Sequence, residues 1–253
     1  MAQGHHLMRT LYQFPISHYC ETTRWHLDHK GLDYQVANLF PGLHRFKSKR
    51  LAGIATLPIL QDGAMRIGDS TTIALHLEQA YPELPLLPED AAQRAAVLEL
   101  EERFDRLGVH VRRWLYGQIK DWSSVMHAML KVYRPCFGLR DLMQPVLING
   151  VQKLYGVTPE RVAKSQAELL IGLDLIEEKI GNDPARYLVG ERLSLADVSA
   201  AALFAPLFTP TGTPWDGIAG HDAETQRFLD QLYARPAGQW VLRRYAEDRQ
   251  RNS

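Results

Sequence analysis

The sequence predicts an α/β domain of element order βαβαββα followed by an all-helical domain. Short strand-like and helix-like segments alternate as far as Tyr81, and beyond that point Ala, Leu, Glu and Arg dominate long stretches of the chain. Between the two parts, the segment PELPLLPED from Pro82 to Asp90 contains three prolines, which suit neither a helix nor a sheet. We therefore expect one domain over residues 1–82, a linker over 83–90 and a helical domain over 91–253.

Apolar periodicity and turn residues predict the elements of the first domain. They are a strand from Leu7 to Phe14, a helix from His18 to Lys30, a strand from Tyr34 to Leu39, an irregular basic helix or loop from Gly42 to Leu51, strands from Leu57 to Leu60 and from Ala64 to Ile67 around an Asp62-Gly63 turn, and a helix from Ser70 to Tyr81.

The second domain is predicted to be helical with one irregular region. A helix is expected from Ala91 to Val111, and another where Leu169, Leu173, Ile176 and Ile180 repeat at helical spacing. Between Gly117 and Pro159, prolines and glycines interrupt the helical pattern repeatedly. We interpret that region as broken helices that cover a cavity.

Composition favours a small partner and an intracellular setting. The 253 residues are 45% hydrophobic, and 29 Lys and Arg balance 29 Asp and Glu, so no net charge attracts nucleic acid or an anionic membrane. The two cysteines, Cys20 and Cys136, form no C-x-x-C or zinc-ligand spacing, and no signal peptide or apolar stretch of membrane-spanning length is evident. A cytoplasmic protein without a metal is expected, with His5 and His6 interpreted as leader residues.

The stretch FPISHYCETTRW, which begins at Phe14, places Ser17 between a strand and a helix. Unpaired N–H groups and a partial positive charge at a helix start stabilise an anion there, although Ser17 can equally serve only as the helix N-cap. Similar features follow downstream. Pro58 interrupts an apolar strand, which indicates an edge position or a cis bond, and Asp69 with Ser70 opens a second helix.

In combination, these motifs resemble a known family. The first part of the chain resembles the N-terminal thioredoxin-like domain of cytosolic glutathione transferases. The resemblance lies in Ser17 with Arg24, the K-G-L of Lys30 to Leu32, the sequence T-L-P-I-L and the D-S pair that opens a helix. The stretch LVGERLSLADV, from Leu188 to Val198, is similar to the capping box and hydrophobic staple of that family's helical domain. In this stretch Ser194 can cap the helix and Asp197 can reach back to it.

The resemblance implies a homodimer that binds glutathione, as co-substrate, in the first domain and a small apolar electrophile between the domains. By motif position, Ser17 would hydrogen-bond the glutathione sulfur, and the backbone of Leu57, before a cis Pro58, would pair with the cysteinyl backbone. Asp69 with Ser70 would hold the γ-glutamyl end.

Recognition of the glycyl carboxylate of glutathione stays open among the basic residues His44, Lys47 and Lys49. Many relatives carry a Lys just before the Pro turn, where this chain has Gly53, Ile54 and Ala55. The basic run from His44 to Arg50 can also be a solvated charged face or a small nucleic-acid patch.

Aromatic residues supply candidates for the electrophile pocket. Tyr19, Trp114, Tyr116 and Phe208 are named for it, together with Tyr133, Phe137 and Trp215, although large aromatic residues also fill protein cores. Alternatively, Tyr19 is a packing residue or lies on a dimer surface. His26 and His29 share a helix face without an evident third metal ligand.

Three functions remain under consideration. The first is a glutathione transferase in which Ser17 stabilises the thiolate. The second is a thiol–disulfide oxidoreductase that uses Cys20 as its nucleophile, and the third is a non-catalytic ligand-binding protein with the same fold. Cys136 is interpreted as a small buried hydrophobic residue.

Overall fold

The computed structural model describes residues 9–130, 133, 140–218 and 221–249. Its first part runs β1 (Arg9–Gln13), α1 (His18–His29), β2 (Tyr34–Asn38), α2 (His44–Ala52), β3 (Ile59–Asp62), β4 (Met65–Gly68) and α3 (Ser70–Ala80). The predicted order βαβαββα is confirmed, and the basic segment after Gly42 forms a helix. The start of the predicted first strand at Leu7, and the pair His5 and His6, lie outside the described residues.

The four strands form one mixed sheet in the order β2-β1-β3-β4. β1 pairs in parallel with β2, with Leu11 opposite Val36, and antiparallel with β3, with Leu11 opposite Leu60. Because α1 connects the parallel pair, the end of β1 and the start of α1 meet at one edge of the sheet. Ser17 lies at this junction.

Helices α1 and α3 contribute side chains to the core beneath the sheet. Leu27 of α1 and Ile73 and Leu77 of α3 form one buried cluster with Leu11 of β1 and Leu60 of β3. Each of these helices begins next to a strand end, which brings both helix N-termini to the same edge of the first part.

The second part consists of helices. They are α4 (Ala91–Gln118), α5 (Ser123–Leu130), α6 (Arg140–Tyr155), α7 (Pro159–Ile180), α8 (Leu195–Phe208), α9 (Ala223–Ala234) and α10 (Pro236–Glu247). α4 extends beyond the predicted end at Val111 because Trp114 continues its buried face for another turn. Most of the described part of the 117–159 region is helical, with Pro145 inside α6 and non-helical residues at 119–122 and 156–158. Cys136 and Phe137 lie outside the described residues.

The predicted helical repeat of α7 is confirmed, since Leu169, Leu173, Ile176 and Ile180 are all fully buried. They pack with α4 and with α8, every residue of which is buried. The predicted capping box of α8 is also confirmed. Asp197 accepts the backbone N–H of Ser194 at 2.9 Å and that of Leu188 at 2.8 Å.

Residues 82–90 form neither a helix nor a strand. The segment is nevertheless packed, because Leu86 and Leu87 are buried and both donate their backbone N–H groups to Glu78 at 3.0 Å. Among the residues that the structure describes, no helix has the length and apolar character needed to cross a bilayer.

Candidate active site

Ser17 is the N-cap of α1. Its hydroxyl oxygen accepts the backbone N–H of Cys20 at 3.3 Å, and its own N–H donates to the carbonyl of Phe14 at 3.2 Å. The side chain is half-buried, and its hydroxyl also lies within hydrogen-bonding reach of the Cys20 thiol, from which its proton can rotate away. The hydroxyl can therefore cap the helix and donate to an anion at the same time.

The loop before Ser17 is held from two sides. Arg24 of α1 donates to the carbonyl of Pro15 at 3.2 Å and to Glu21 at 2.7 Å, and its guanidinium also contacts Gln13. From the helical part, the indole N–H of Trp215 donates to the carbonyl of Ile16 at 3.2 Å. Arg24 thus fixes the loop that presents the Ser17 hydroxyl.

Cys20 lies one turn into α1 and is a free, fully buried cysteine. Burial raises the pKa of its thiol, against the smaller lowering influences of Arg24 and of the hydrogen bond with Ser17. A buried thiol with a raised pKa is a poor nucleophile, because the thiolate is the reactive form.

The second helix start lies next to a cis peptide bond. The bond between Leu57 and Pro58 is cis, and the carbonyl of Pro58 accepts the N–H of Asp69 at 3.2 Å. Asp69 has a φ of 78°, a conformation that costs a non-glycine residue roughly 1–3 kcal/mol. Its carboxylate accepts the N–H of Thr72 at 3.0 Å, while the following Ser70 is buried. Leu57, Asp69 and Ser70 are thereby brought together at the edge where α3 begins.

The basic residues of α2 differ in environment. His44 is buried edge-on against Phe14, at 4.6 Å between ring centroids, and its Nδ1 accepts the N–H of Gly42 at 3.1 Å. Burial, followed by the charge of Arg45, lowers the pKa of His44, so the ring is mainly neutral at neutral pH. Lys47 is exposed, with its ammonium 5.3 Å from the centre of the Tyr12 ring.

An apolar cluster adjoins Ser17, and we call it the apolar wall. Trp122, Val125 and Met126 are its buried members, and the half-buried residues packed against them are Ile16, Phe40, Tyr116, Ile119, Tyr133, Leu147, Ile148, Val151 and Ile218. Because Ile16 directly precedes Ser17, the wall begins beside the hydroxyl. The phenol of Tyr133 also donates to the carbonyl of Leu39 at 2.5 Å, which ties the wall to the end of β2.

Of the aromatic residues expected in the electrophile pocket and described by the structure, Tyr116 and Tyr133 join the apolar wall. Trp114 and Phe208 are buried in the helical core, where Trp114 packs on Phe228. Tyr19 donates its phenol to the carbonyl of Asp105 at 2.7 Å and joins α1 to α4. Sequence reasoning missed Ile16, Phe40, Trp122 and Met126. In the sequence, only Ile16 could have been recognised as a member of the wall, because it directly precedes Ser17.

Two acidic groups of α4 lie behind the start of α3. Glu101 is buried and accepts the hydroxyl of Thr71 at 2.7 Å and that of Ser199 at 3.3 Å. Burial, together with the charges of Asp105 and Asp69, raises the pKa of Glu101 to about 7. Burial and the charge of Asp69 raise the pKa of Asp105 to about 6.

His26 and His29 do not form part of a larger ligand set. Burial, followed by the charge of His29, lowers the pKa of His26 to about 3. Within the described ranges, no group of three or more His, Cys, Asp or Glu side chains is arranged to hold a metal ion.

Comparisons with known proteins agree with this geometry. The family model "Glutathione S-transferase, N-terminal domain" matches residues 11–85. Glutathione S-transferase 1 of Dianthus caryophyllus is 39% identical over 194 residues, which cover 76% of this chain and 73% of that protein. Glutathione S-transferase Z1 of Arabidopsis thaliana is 40% identical over 89 residues, 34% of this chain and 40% of that protein.

Solved structures share the fold at low sequence identity. A glutathione S-transferase from Methylobacterium radiotolerans, in complex with glutathione sulfonate, gives a TM-score of 0.58 at 20% identity and covers 97% of this chain and 96% of its own. The beta-etherase LigF from Sphingobium gives a TM-score of 0.60 at 20% identity and covers 94% and 99%. With a thioredoxin-like mixed sheet, a following helical part and a relative of this similarity, the chain belongs to the glutathione S-transferase family.

Proposed function

We propose that this protein is a glutathione transferase in which Ser17 stabilises the thiolate of bound glutathione for attack on an apolar electrophile. The observation that carries the proposal is the half-buried Ser17 hydroxyl, which caps α1 and lies beside the apolar wall. A free thiol has a pKa of about 8.5, and lowering it by about two units requires roughly 2.7 kcal/mol. A hydroxyl donor at a helix N-terminus supplies stabilisation of this order.

In this proposal, glutathione lies along the edge where α1 and α3 begin. The backbone of Leu57 before Pro58 pairs with the cysteinyl backbone, and Asp69 and Ser70 hold the γ-glutamyl end. The exposed Lys47 provides the charge for the glycyl carboxylate, and His44 serves as a neutral hydrogen-bonding group because of its lowered pKa. The family membership and the glutathione sulfonate complex of a similar fold support this placement.

The proposal extends to the division of the chain and to its assembly. Residues 1–82 would form the glutathione-binding domain and residues 91–253 would supply the electrophile pocket, with residues 83–90 between them. The protein would be a homodimer. Apolar side chains are exposed on α2 and β4, among them Phe46 and Met65. Their exposure supports a dimer in which the second subunit covers this surface. Light scattering at micromolar concentration would give twice the chain mass, and a monomer mass throughout would remove the dimer.

Isothermal titration with reduced glutathione, combined with turnover of 1-chloro-2,4-dinitrobenzene, tests the function. Saturable binding and glutathione-dependent loss of chloride are expected. Binding of glutathione without turnover of any electrophile in a panel would favour a non-catalytic ligand-binding protein. Absence of binding at millimolar glutathione would contradict the proposal outright. Reduction of hydroxyethyl disulfide that depends on Cys20 would favour the oxidoreductase, for which the buried thiol gives no support.

A further inference from the structure

Among the residues that the structure describes, Arg112 of α4 has no ion-pair partner, and it lies near Tyr19 and Tyr155. Its Nε is buried and has no hydrogen-bond partner. In the part of the chain that the structure describes, no Asp or Glu lies within ion-pair distance of its guanidinium. Arg112 as a whole is half-buried, and a buried guanidinium N–H ordinarily has an acceptor because an unsatisfied polar group is costly. An arginine without a partner is therefore expected where a bound ligand supplies the hydrogen-bond acceptor.

Aromatic rings hold the Arg112 side chain in place. Its guanidinium carbon lies 4.1 Å from the centre of the Tyr155 ring and 5.5 Å from that of the Tyr19 ring. Such contacts use the faces of the guanidinium and leave the N–H edges available for a planar, two-oxygen acceptor. A carboxylate matches that edge with two parallel hydrogen bonds.

His18 provides a second donor beside Arg112. It directly follows Ser17, is 4% exposed, and its Nε2 has no hydrogen-bond partner. Its ring packs edge-on against Tyr19 at 4.7 Å between centroids, so His18 and Arg112 contact the same tyrosine. Burial and the charge of Arg112 hold the pKa of His18 well below its usual range, which leaves the ring neutral.

Charges of both signs lie near Tyr19, including Asp105, but two further arginines lie close to Arg112. Burial, followed by the charges of Arg161 and Arg112, lowers the pKa of the neighbouring Arg113. Three arginines therefore act on one another in this region. A bound anion would relieve this repulsion, whereas a neutral group would not.

The subsite continues the apolar wall. Tyr116 lies one helical turn beyond Arg112 on α4 and contacts Tyr155 at 5.4 Å and Trp122 at 5.8 Å between ring centroids. An apolar molecule against the wall would thus lie close to Arg112 and to His18, the residue after Ser17. Two unpaired donors at one end of an apolar surface are suited to a ligand with an apolar body and one anionic group.

We propose that Arg112 and His18 bind the carboxylate of the electrophile, so that the preferred substrates are aromatic electrophiles bearing a carboxylate. This inference rests on the proposed transferase function. In the reaction used to test it, the glutathione sulfur forms a bond to the ring carbon that carries chlorine. The carbon–chlorine bond breaks, chloride leaves with the bonding electrons, and the thiol proton passes to solvent.

Turnover of 4-chloro-3,5-dinitrobenzoate and of 4-chloro-3,5-dinitrobenzamide provides the matched comparison. The wild-type protein is expected to prefer the carboxylate in kcat/KM. The Arg112→Gln variant should lower the carboxylate-to-amide ratio by roughly ten- to a hundredfold, the range of a lost charge-assisted pair, with unchanged affinity for glutathione. Arg103→Gln, an exposed position on the same helix, should leave the ratio unchanged. A merely structural role of Arg112 would lower both rates and not their ratio.

Calorimetric binding of 3,5-dinitrobenzoate and 3,5-dinitrobenzamide, which lack the leaving group, separates the subsite from catalysis. Tighter binding of the benzoate by the wild type, with no turnover of either chloro compound, would refute the transferase function and leave the subsite supported. Equal affinity of the wild type for the benzoate and the benzamide would overturn the subsite, whether or not any variant folds. An unchanged carboxylate-to-amide ratio of kcat/KM in Arg112→Gln would overturn the subsite as well. The same holds if that variant loses affinity for glutathione while the ratio is preserved.

Discussion

At the scale of single residues, the Ser17 hydroxyl and the Cys20 thiol lie within one turn of α1 but in different environments. Ser17 is half-buried, whereas Cys20 is fully enclosed and its thiol has a raised pKa. The sequence places both residues at a strand–helix junction but does not reveal which side chain is enclosed. That difference depends on the tertiary packing around α1, which a single sequence does not specify.

Replacement of Ser17 by Ala is predicted to lower glutathione-dependent turnover by about ten- to a thousandfold, or 1.4 to 4 kcal/mol of transition-state stabilisation. Cys20→Ala should cost less than tenfold, because that thiol lies away from solvent. Turnover of one accepted electrophile by both variants checks this. An inactive Cys20→Ala protein beside an unaffected Ser17→Ala protein would restore the oxidoreductase.

Glu101 is predicted to make stability depend on pH. Its pKa rises from 4.5 to about 7 in the folded protein, so the folded state binds more protons between those values. Its stabilising contribution is complete below about pH 4.5 and is lost as pH rises through about 7, at a cost of at most about 3 kcal/mol. Glu101→Gln, which remains neutral, should flatten this dependence relative to wild type. Urea unfolding at about pH 5 and about pH 8 measures it, and equal slopes for both proteins would disprove the role.

At the scale of elements, the loop before Ser17 couples the site to the helical part. Arg24 fixes the carbonyl of Pro15 from within α1, and Trp215 fixes that of Ile16 from a distant part of the chain. The sequence predicted α1 and the start of α3, since these follow from local turn and capping chemistry. For Pro58 the local pattern left an edge position or a cis bond open, and the family resemblance implied the cis bond that the structure has. The apolar wall was not predicted, because its members come from separate elements brought together only by folding.

Trp215→Phe is predicted to lower turnover about three- to tenfold with a small change in melting temperature. The ring is retained, but the hydrogen bond that positions the Ile16 carbonyl is lost, which is worth about 1 kcal/mol. Trp240→Phe is the matched control, since its indole donates to the carbonyl of Arg186 at 2.9 Å in the helical part. Equal losses of turnover in both variants would remove the positioning role of Trp215.

Asp197 is predicted to be essential for the start of α8. Asp197→Ala would leave the buried N–H groups of Leu188 and Ser194 without their acceptor and should destabilise the protein by about 2–4 kcal/mol. Asp222, an exposed N-cap that accepts one N–H from Thr225 at 2.8 Å, offers the comparison. If Asp222→Ala cost as much as Asp197→Ala in urea unfolding, burial of the capping box would not matter.

At the scale of the whole molecule, a buried ion network joins the C-terminal segment to α1. Arg249 pairs with Glu21 at 2.9 Å and with Asp28 at 2.7 Å. Burial alone would raise the pKa of Glu21, but the charges of Arg24 and Arg249 outweigh it and lower that pKa. No sequence pattern indicated this contact, because its partners are separated by most of the chain.

Arg249→Met is predicted to destabilise the protein by about 3–5 kcal/mol, because Asp28 loses its buried partner and Glu21 keeps only Arg24. Arg243→Gln, which removes an exposed pair with Glu247, should change stability by less than about 1 kcal/mol. Thermal and urea unfolding of both variants provide the comparison. A similar small effect in the two would show that the network contributes nothing special to joining the parts.

The pKa of the thiol of bound glutathione tests the central claim most directly. Ultraviolet difference absorbance of the thiolate, titrated against pH, should give a pKa about two units below the free value of about 8.5 in the wild type and in Cys20→Ala. In Ser17→Ala, the pKa should return most of the way to the free value while glutathione still binds. A bound-thiol pKa that is equally low in Ser17→Ala and in the wild type would contradict the assignment of Ser17 as the group that stabilises the thiolate.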